Sequence, residues 1–122
     1  MASLSDETLR RILQQIQATA VNSQRALSAT KATAATKERE RKILQLTMDE
    51  ISSLDNDVNL YKGVGKMFML TPRDTMEKEL KSQEKELNDD INNLNKKAKY
   101  LEKQFNEASA QLKDIFNSAP KS

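Results

Sequence analysis

Along the first third of the chain, alternating steps of three and four residues select Leu9, Leu13, Ile16, Ala20, Ser23, Leu27, Thr30, Ala34, Lys37, Arg41 and Leu44. That spacing is the a/d seam of a coiled coil, in which each selected side chain points at a partner helix. The seam is strongly apolar up to Leu27 and weaker beyond it. Residues 6–46 contain no glycine or proline, and Ser5 followed by Asp6 and Glu7 supplies a cap and acidic groups suited to the positive end of a helix. The pattern predicts a helix over residues 6–46, roughly 60 Å long at about 1.5 Å per residue.

A second seam reads Leu80, Glu84, Leu87, Ile91, Leu94, Ala98, Leu101, Phe105, Ala108, Leu112 and Ile115. Ahead of it, Thr71-Pro72-Arg73-Asp74 sets a capping threonine before a proline at the first helical position. The second helix is expected over residues 72–117, with 118–122 a disordered tail. Lys78, Lys81, Lys85, Asp89, Asp90, Lys96, Lys99, Glu102 and Lys103 take the outward positions as a mixed-sign solvated surface.

Between the helices, residues 47–71 read as a linker. Thr47-Met48-Asp49-Glu50 has the form of a capping box, which predicts a short helical turn ending near Leu54. From Val58 to Leu70 the chain holds both of its glycines together with the β-favouring Val58, Tyr61, Val64 and Phe68, so two short strands with a turn near Gly65 are expected. A lone two-stranded hairpin is marginal in water, and this one bears apolar groups on both faces. Val58, Leu60, Tyr61, Val64, Met67, Phe68, Met69 and Leu70 are therefore candidate subunit-interface residues, needing partners that two helices hardly provide. The methionines would also suit an adaptable binding surface, but subunit packing is the simpler use.

If the helices pair directly across from Leu46 and Pro72, paired residue numbers sum to about 118, which sets Leu13 opposite Phe105 and Leu27 opposite Ile91. The two free helix ends then coincide at one tip.

Composition narrows the chemistry. The 122 residues include 31% charged and 4% aromatic side chains and no cysteine, histidine or tryptophan. Without cysteine and histidine, the thiolate nucleophile, the commonest zinc ligand and the commonest general base are all missing. Paired acids such as Asp89-Asp90 and Asp55-Asp57 are the carboxylates available for such chemistry, and neighbouring helical residues diverge by about 100°, so Asp89 and Asp90 do not converge on one ion. Gly63-Val64-Gly65 lacks the third glycine, the lysine-serine pair and the following helix of a phosphate loop. No catalytic residue, cofactor or metal is expected, and the chain is not read as an enzyme. A net charge of +2 with both signs interleaved, as in Lys37-Glu38-Arg39-Glu40-Arg41-Lys42, gives no nucleic-acid signature. No apolar run is long enough for a membrane span, and the first residues lack the pattern of a signal peptide. A cytoplasmic location is expected.

The stretch Asn59-Leu60-Tyr61-Lys62-Gly63-Val64-Gly65-Lys66-Met67-Phe68, followed by a capped helix with a persistent heptad, resembles the β-type subunits of the prefoldin family. The resemblance implies a mainly α fold: a long antiparallel two-helix coiled coil whose central β-hairpin joins an intersubunit β-barrel, the chain forming one domain over residues 1–122. It implies a hetero-hexamer of two α-type and four β-type subunits with coiled coils hanging from the barrels. α-Type linkers hold two hairpins; this one has room for one. The implied activity is ATP-independent holding of unfolded actin, tubulin and other cytosolic chains at the coiled-coil tips, then transfer to the cytosolic chaperonin. Leu4, Leu9, Ile12, Leu112, Ile115 and Phe116 are the candidate client-binding residues, since helix ends fray and off-seam apolar groups stand exposed. A structural tether binding partner helices is the alternative. An RNA-binding helical hairpin would need a one-sided basic face.

Overall fold

The computed structural model describes residues 5–118. In chain order they form helix α1 (Asp6–Ser53), strand β1 (Leu60–Val64), strand β2 (Met67–Thr71) and helix α2 (Arg73–Ser118). The chain groups into two compact units. One takes in residues up to Thr33 and from Leu94 onward, and the other is Ala34–Asn93.

Helix α1 begins where the cap signal puts it. The Ser5 carbonyl accepts the Leu9 amide at 2.9 Å and the Ser5 hydroxyl accepts the Thr8 amide at 3.2 Å, satisfying two donors of the first turn. Its far end differs from expectation: α1 does not stop at Leu46 but runs unbroken to Ser53. The Thr47 hydroxyl donates to the Ile43 carbonyl at 2.9 Å, a bond back along the helix from an interior position rather than a cap on a new one. The seam simply continues through half-buried Met48 and buried Ile51. Beyond Ser53, the Leu54 amide turns back to the Ile51 carbonyl, and Asp55-Asn56-Asp57 supplies the turn, closed by the Val58 amide on the Asp55 carbonyl at 3.1 Å.

Helix α2 starts one residue later than expected. The Met76 amide bonds the Pro72 carbonyl at 3.0 Å, so Pro72 occupies the cap position, while the Thr71 hydroxyl donates to the Met69 carbonyl at 3.1 Å. The helix extends through Ser118, and the rest of the expected tail lies outside the described residues.

Every position assigned to the two seams is buried or half-buried, with Ile91 the most enclosed at 2% exposure. The core is this stripe, and no large side chain among the described residues is fully buried. Small Ala20, Ser23, Thr30 and Ala108 are buried in it, and such side chains let helix backbones approach closely. Where the α1 seam turns charged, polar partners appear on α2: Arg41 Nη1 donates to Asn88 Oδ1 at 3.0 Å and Lys37 Nζ lies 3.7 Å from Asp90. Further along α1, Ile51 and Ser52 share a cavity with Glu77, Leu80 and Lys81, so the helices run antiparallel within Ala34–Asn93.

This register corrects the one expected. Pairing from Leu46 would have set Lys37 against Lys81 and Arg41 against Glu77; their partners Asp90 and Asn88 lie roughly three turns further along α2. Much of the shift follows from the continuation of α1 to Ser53, which moves the closing point of the two helices.

Candidate functional site

Strands β1 and β2 pair antiparallel, with Leu60 opposite Thr71, Tyr61 opposite Leu70, Lys62 opposite Met69, Gly63 opposite Phe68 and Val64 opposite Met67. The two-residue turn Gly65-Lys66 takes a φ of 61° at Gly65, and no non-glycine residue among those described has positive φ. That is the glycine-first pattern of a type II′ turn, whose twist matches that of the strands it joins. Because side chains alternate across a strand, Leu60, Lys62, Val64, Met67, Met69 and Thr71 share one face. Tyr61, Phe68 and Leu70 share the other.

Both faces stand open. Tyr61, Val64, Met67, Phe68, Met69 and Leu70 are all exposed, Phe68 to 78%, and Val58 is exposed just before β1. Leu60 alone of the eight candidates is half-buried. Fully burying one such side chain stabilises by about 1.5–3 kcal/mol, so the hairpin carries unspent association energy in a concentrated patch.

One ion pair joins this hairpin to α2, and the Arg73 side chain ties α2 to the segment that leaves α1. Lys62 Nζ reaches Glu79 Oε2 on the second turn of α2 at 2.9 Å. The Arg73 guanidinium donates through Nη2 to the Leu54 and Asp55 carbonyls, each at 3.0 Å, and through Nη1 to Asn56 Oδ1 at 3.2 Å. Helix α1 has no basic residue in its last turn, so Arg73 supplies the positive charge and the donors that its C-terminal end lacks. Arg73 Nε is buried without a partner, a cost the three other bonds offset. Sequence reasoning missed Arg73, since nothing in its local pattern shows a partner across the linker.

The candidate client-binding residues sit otherwise. Leu9, Ile12, Leu112 and Ile115 lie in the same unit and are half-buried, so each gives part of its surface to the helix pair and keeps part open. Phe116 is 64% exposed. Leu4 lies outside the described residues. Ile43, Leu46 and Leu54 are exposed apolar residues that no expected role covered; Ile43 and Leu46 flank the seam residue Leu44.

No set of three or more carboxylates gathers among the described residues as a metal site would require, and no described helix is long and apolar enough to cross a membrane. The hairpin between α1 and α2 faces solvent on both sides. The family model described as prefoldin subunit matches residues 14–119. The chain belongs to the prefoldin family. Prefoldin subunit 1 of Arabidopsis thaliana is 29% identical over 117 residues, covering 96% of this chain and 91% of the relative. Prefoldin subunit 1 of Homo sapiens is 28% identical over 115 residues, 94% of each. In fold, the chain is similar to the crystal structure of the prefoldin beta subunit from Thermococcus strain KS-1, with a TM-score of 0.81, 24% identity, and coverage of 98% of this chain and 100% of that one. Prefoldin is a family of chaperone subunits, not of enzymes, and its subunits assemble with one another. A single hairpin between two long helices is the architecture shared with the beta subunit.

Proposed function

We propose that this chain is a β-type subunit of a cytoplasmic hetero-hexamer that holds unfolded proteins such as actin and tubulin without ATP and passes them to the cytosolic chaperonin. The observation that carries the reading is the hairpin, whose two faces expose Tyr61, Val64, Met67, Phe68, Met69 and Leu70 together. Isolated two-stranded sheets are marginal, and apolar patches of this kind mark association sites. Val58 and the residues of both strands join the hairpins of α-type and β-type neighbours, while Leu9, Ile12, Leu112, Ile115 and Phe116, with Leu4, offer clients an apolar surface at the free helix ends.

Holding then works by linkage. Each free end contributes a small patch whose affinity alone is low, and several ends in one oligomer convert later contacts into intramolecular ones. The test is to purify the complex assembled on this chain and follow aggregation of chemically denatured actin by light scattering. Suppression near stoichiometric complex, without nucleotide, supports the reading. A complex that assembles but leaves the aggregation of every client unchanged would leave only a structural tether.

A further inference from the structure

Met67 and Met69 stand on the same face of the hairpin, two residues apart, 69% and 54% exposed, with Val64 and Lys62 as their cross-strand partners. The other methionines of the described residues, Met48 and Met76, are half-buried against the helix pair. We propose that Met67 and Met69 are an oxidation site on the unassembled subunit, and that their conversion to sulfoxides blocks entry into the hexamer. The inference rests on the reading of the hairpin as the assembly surface.

Peroxide is the oxidant the step requires. A thioether lone pair attacks one oxygen of hydrogen peroxide, the O–O bond breaks as the S–O bond forms, and the second oxygen leaves as water. Sulfur loses two electrons and peroxide gains them. Attack needs an approach to sulfur from solvent, which Met67 and Met69 allow and Met48 and Met76 restrict. The product is a strongly polar acceptor in place of a soft apolar chain. On the free hairpin water solvates it at no cost. In an interface packed against apolar neighbours it must give up that water, so oxidation acts on assembly rather than on the fold of the subunit. Once neighbours cover the face, the same sulfurs are shielded, and assembled subunits escape the reaction that excludes free ones.

The experiment treats the full chain with hydrogen peroxide, quenches it, and maps sulfoxides by peptide mass spectrometry before mixing with the partner subunits. Met67 and Met69 are expected to oxidise several-fold faster than Met48 and Met76, with unchanged helical circular dichroism. Incorporation, read by native mass spectrometry, is expected to weaken about tenfold or more. Reduction by methionine sulfoxide reductases should restore it, and the double variant Met67→Leu, Met69→Leu should incorporate equally well with or without peroxide. Normal incorporation of chain carrying both sulfoxides overturns the proposal, as does equal loss in the treated double variant. The untreated double variant Leu60→Asp, Phe68→Asp, with one charge on each face, separates the two readings: if it incorporates fully, the hairpin is not the assembly surface and both fail, whereas its exclusion beside normal entry of oxidised chain defeats the methionine site alone.

Discussion

Arg73 Nη2 donates to the Leu54 carbonyl across 3.0 Å, joining the first residue of α2 to the residue that follows the end of α1. The same guanidinium holds Asp55 and Asn56, so one side chain closes the path from α1 into the hairpin. The planar fork matters here, because three acceptors must be reached at once and lysine presents a point charge instead. Replacing Arg73 with Ala should destabilise the chain by about 1–2 kcal/mol, the scale of charge-assisted hydrogen bonds at a partly solvated site. Arg73→Lys should recover less than half of that. Urea unfolding followed by circular dichroism checks both, and equal stability of all three chains would remove Arg73 from the account.

The polar stretch of the α1 seam makes a second expectation. Arg41 is half-buried, bonded to Asn88 Oδ1 at 3.0 Å and to Glu38 Oε2 at 2.6 Å. Polar pairs between helices often contribute less than apolar packing of similar volume, yet truncating one partner strands the other. Arg41→Ala should therefore lower stability by about 1 kcal/mol, whereas Arg41→Leu combined with Asn88→Leu should raise the thermal midpoint. A double variant that melts lower than the parent would show the polar pair to be a net stabiliser.

The two seams were legible from spacing alone because a helix pair buries a narrow stripe and little else. Ser23, Thr30, Lys37 and Arg41 kept their seam positions despite their polarity. The end of α1 was misread because Thr47-Met48-Asp49-Glu50 carries a capping-box signature, although the three-four rhythm passes through Met48 and Ile51 without a break. Given two signals in conflict, burial of Ile51 prevailed over a cap that Thr47 does not make. The hairpin was legible from its glycines and β-branched and aromatic residues. Arg73 and the pairing of Arg41 with Asn88 were not, since both depend on which residues a turn of unknown length brings together.

At the hairpin, Leu60→Asp with Phe68→Asp should abolish incorporation into the hexamer while leaving helical content intact. The substituted residues lie on opposite faces, so neither face remains apolar. A buried charge without a partner costs several kcal/mol at an interface, whereas the caps and seams that hold the helices lie elsewhere. Co-purification with partner subunits and circular dichroism are read together. Full incorporation would move the assembly surface away from the hairpin.

Trimming the free helix ends separates client holding from assembly. Deleting the residues before Leu9 and after Ala110 removes Leu112 and Ile115, each half-buried, and Phe116, which is mostly exposed, together with Leu4. The hairpin and the Arg73 contacts are untouched, so the hexamer should still form on a native gel. At about 25 cal/mol per Å², even 100 Å² of apolar surface at one end provides only a few kcal/mol, so each contact is weak and the sum over several subunits is what retains a chain. Removing the ends of one subunit type should accordingly reduce suppression of client aggregation several-fold without eliminating it. The half-burial of Leu112 and Ile115 adds a second signature: the trimmed chain should also melt a few degrees lower, since part of their area packs within the helix pair. A trimmed hexamer that holds every client as well as the intact one would show that these ends make no client contact. Loss of the hexamer together with holding would instead make the terminal turns structural, with Leu112 and Ile115 acting as the last layers of the seam.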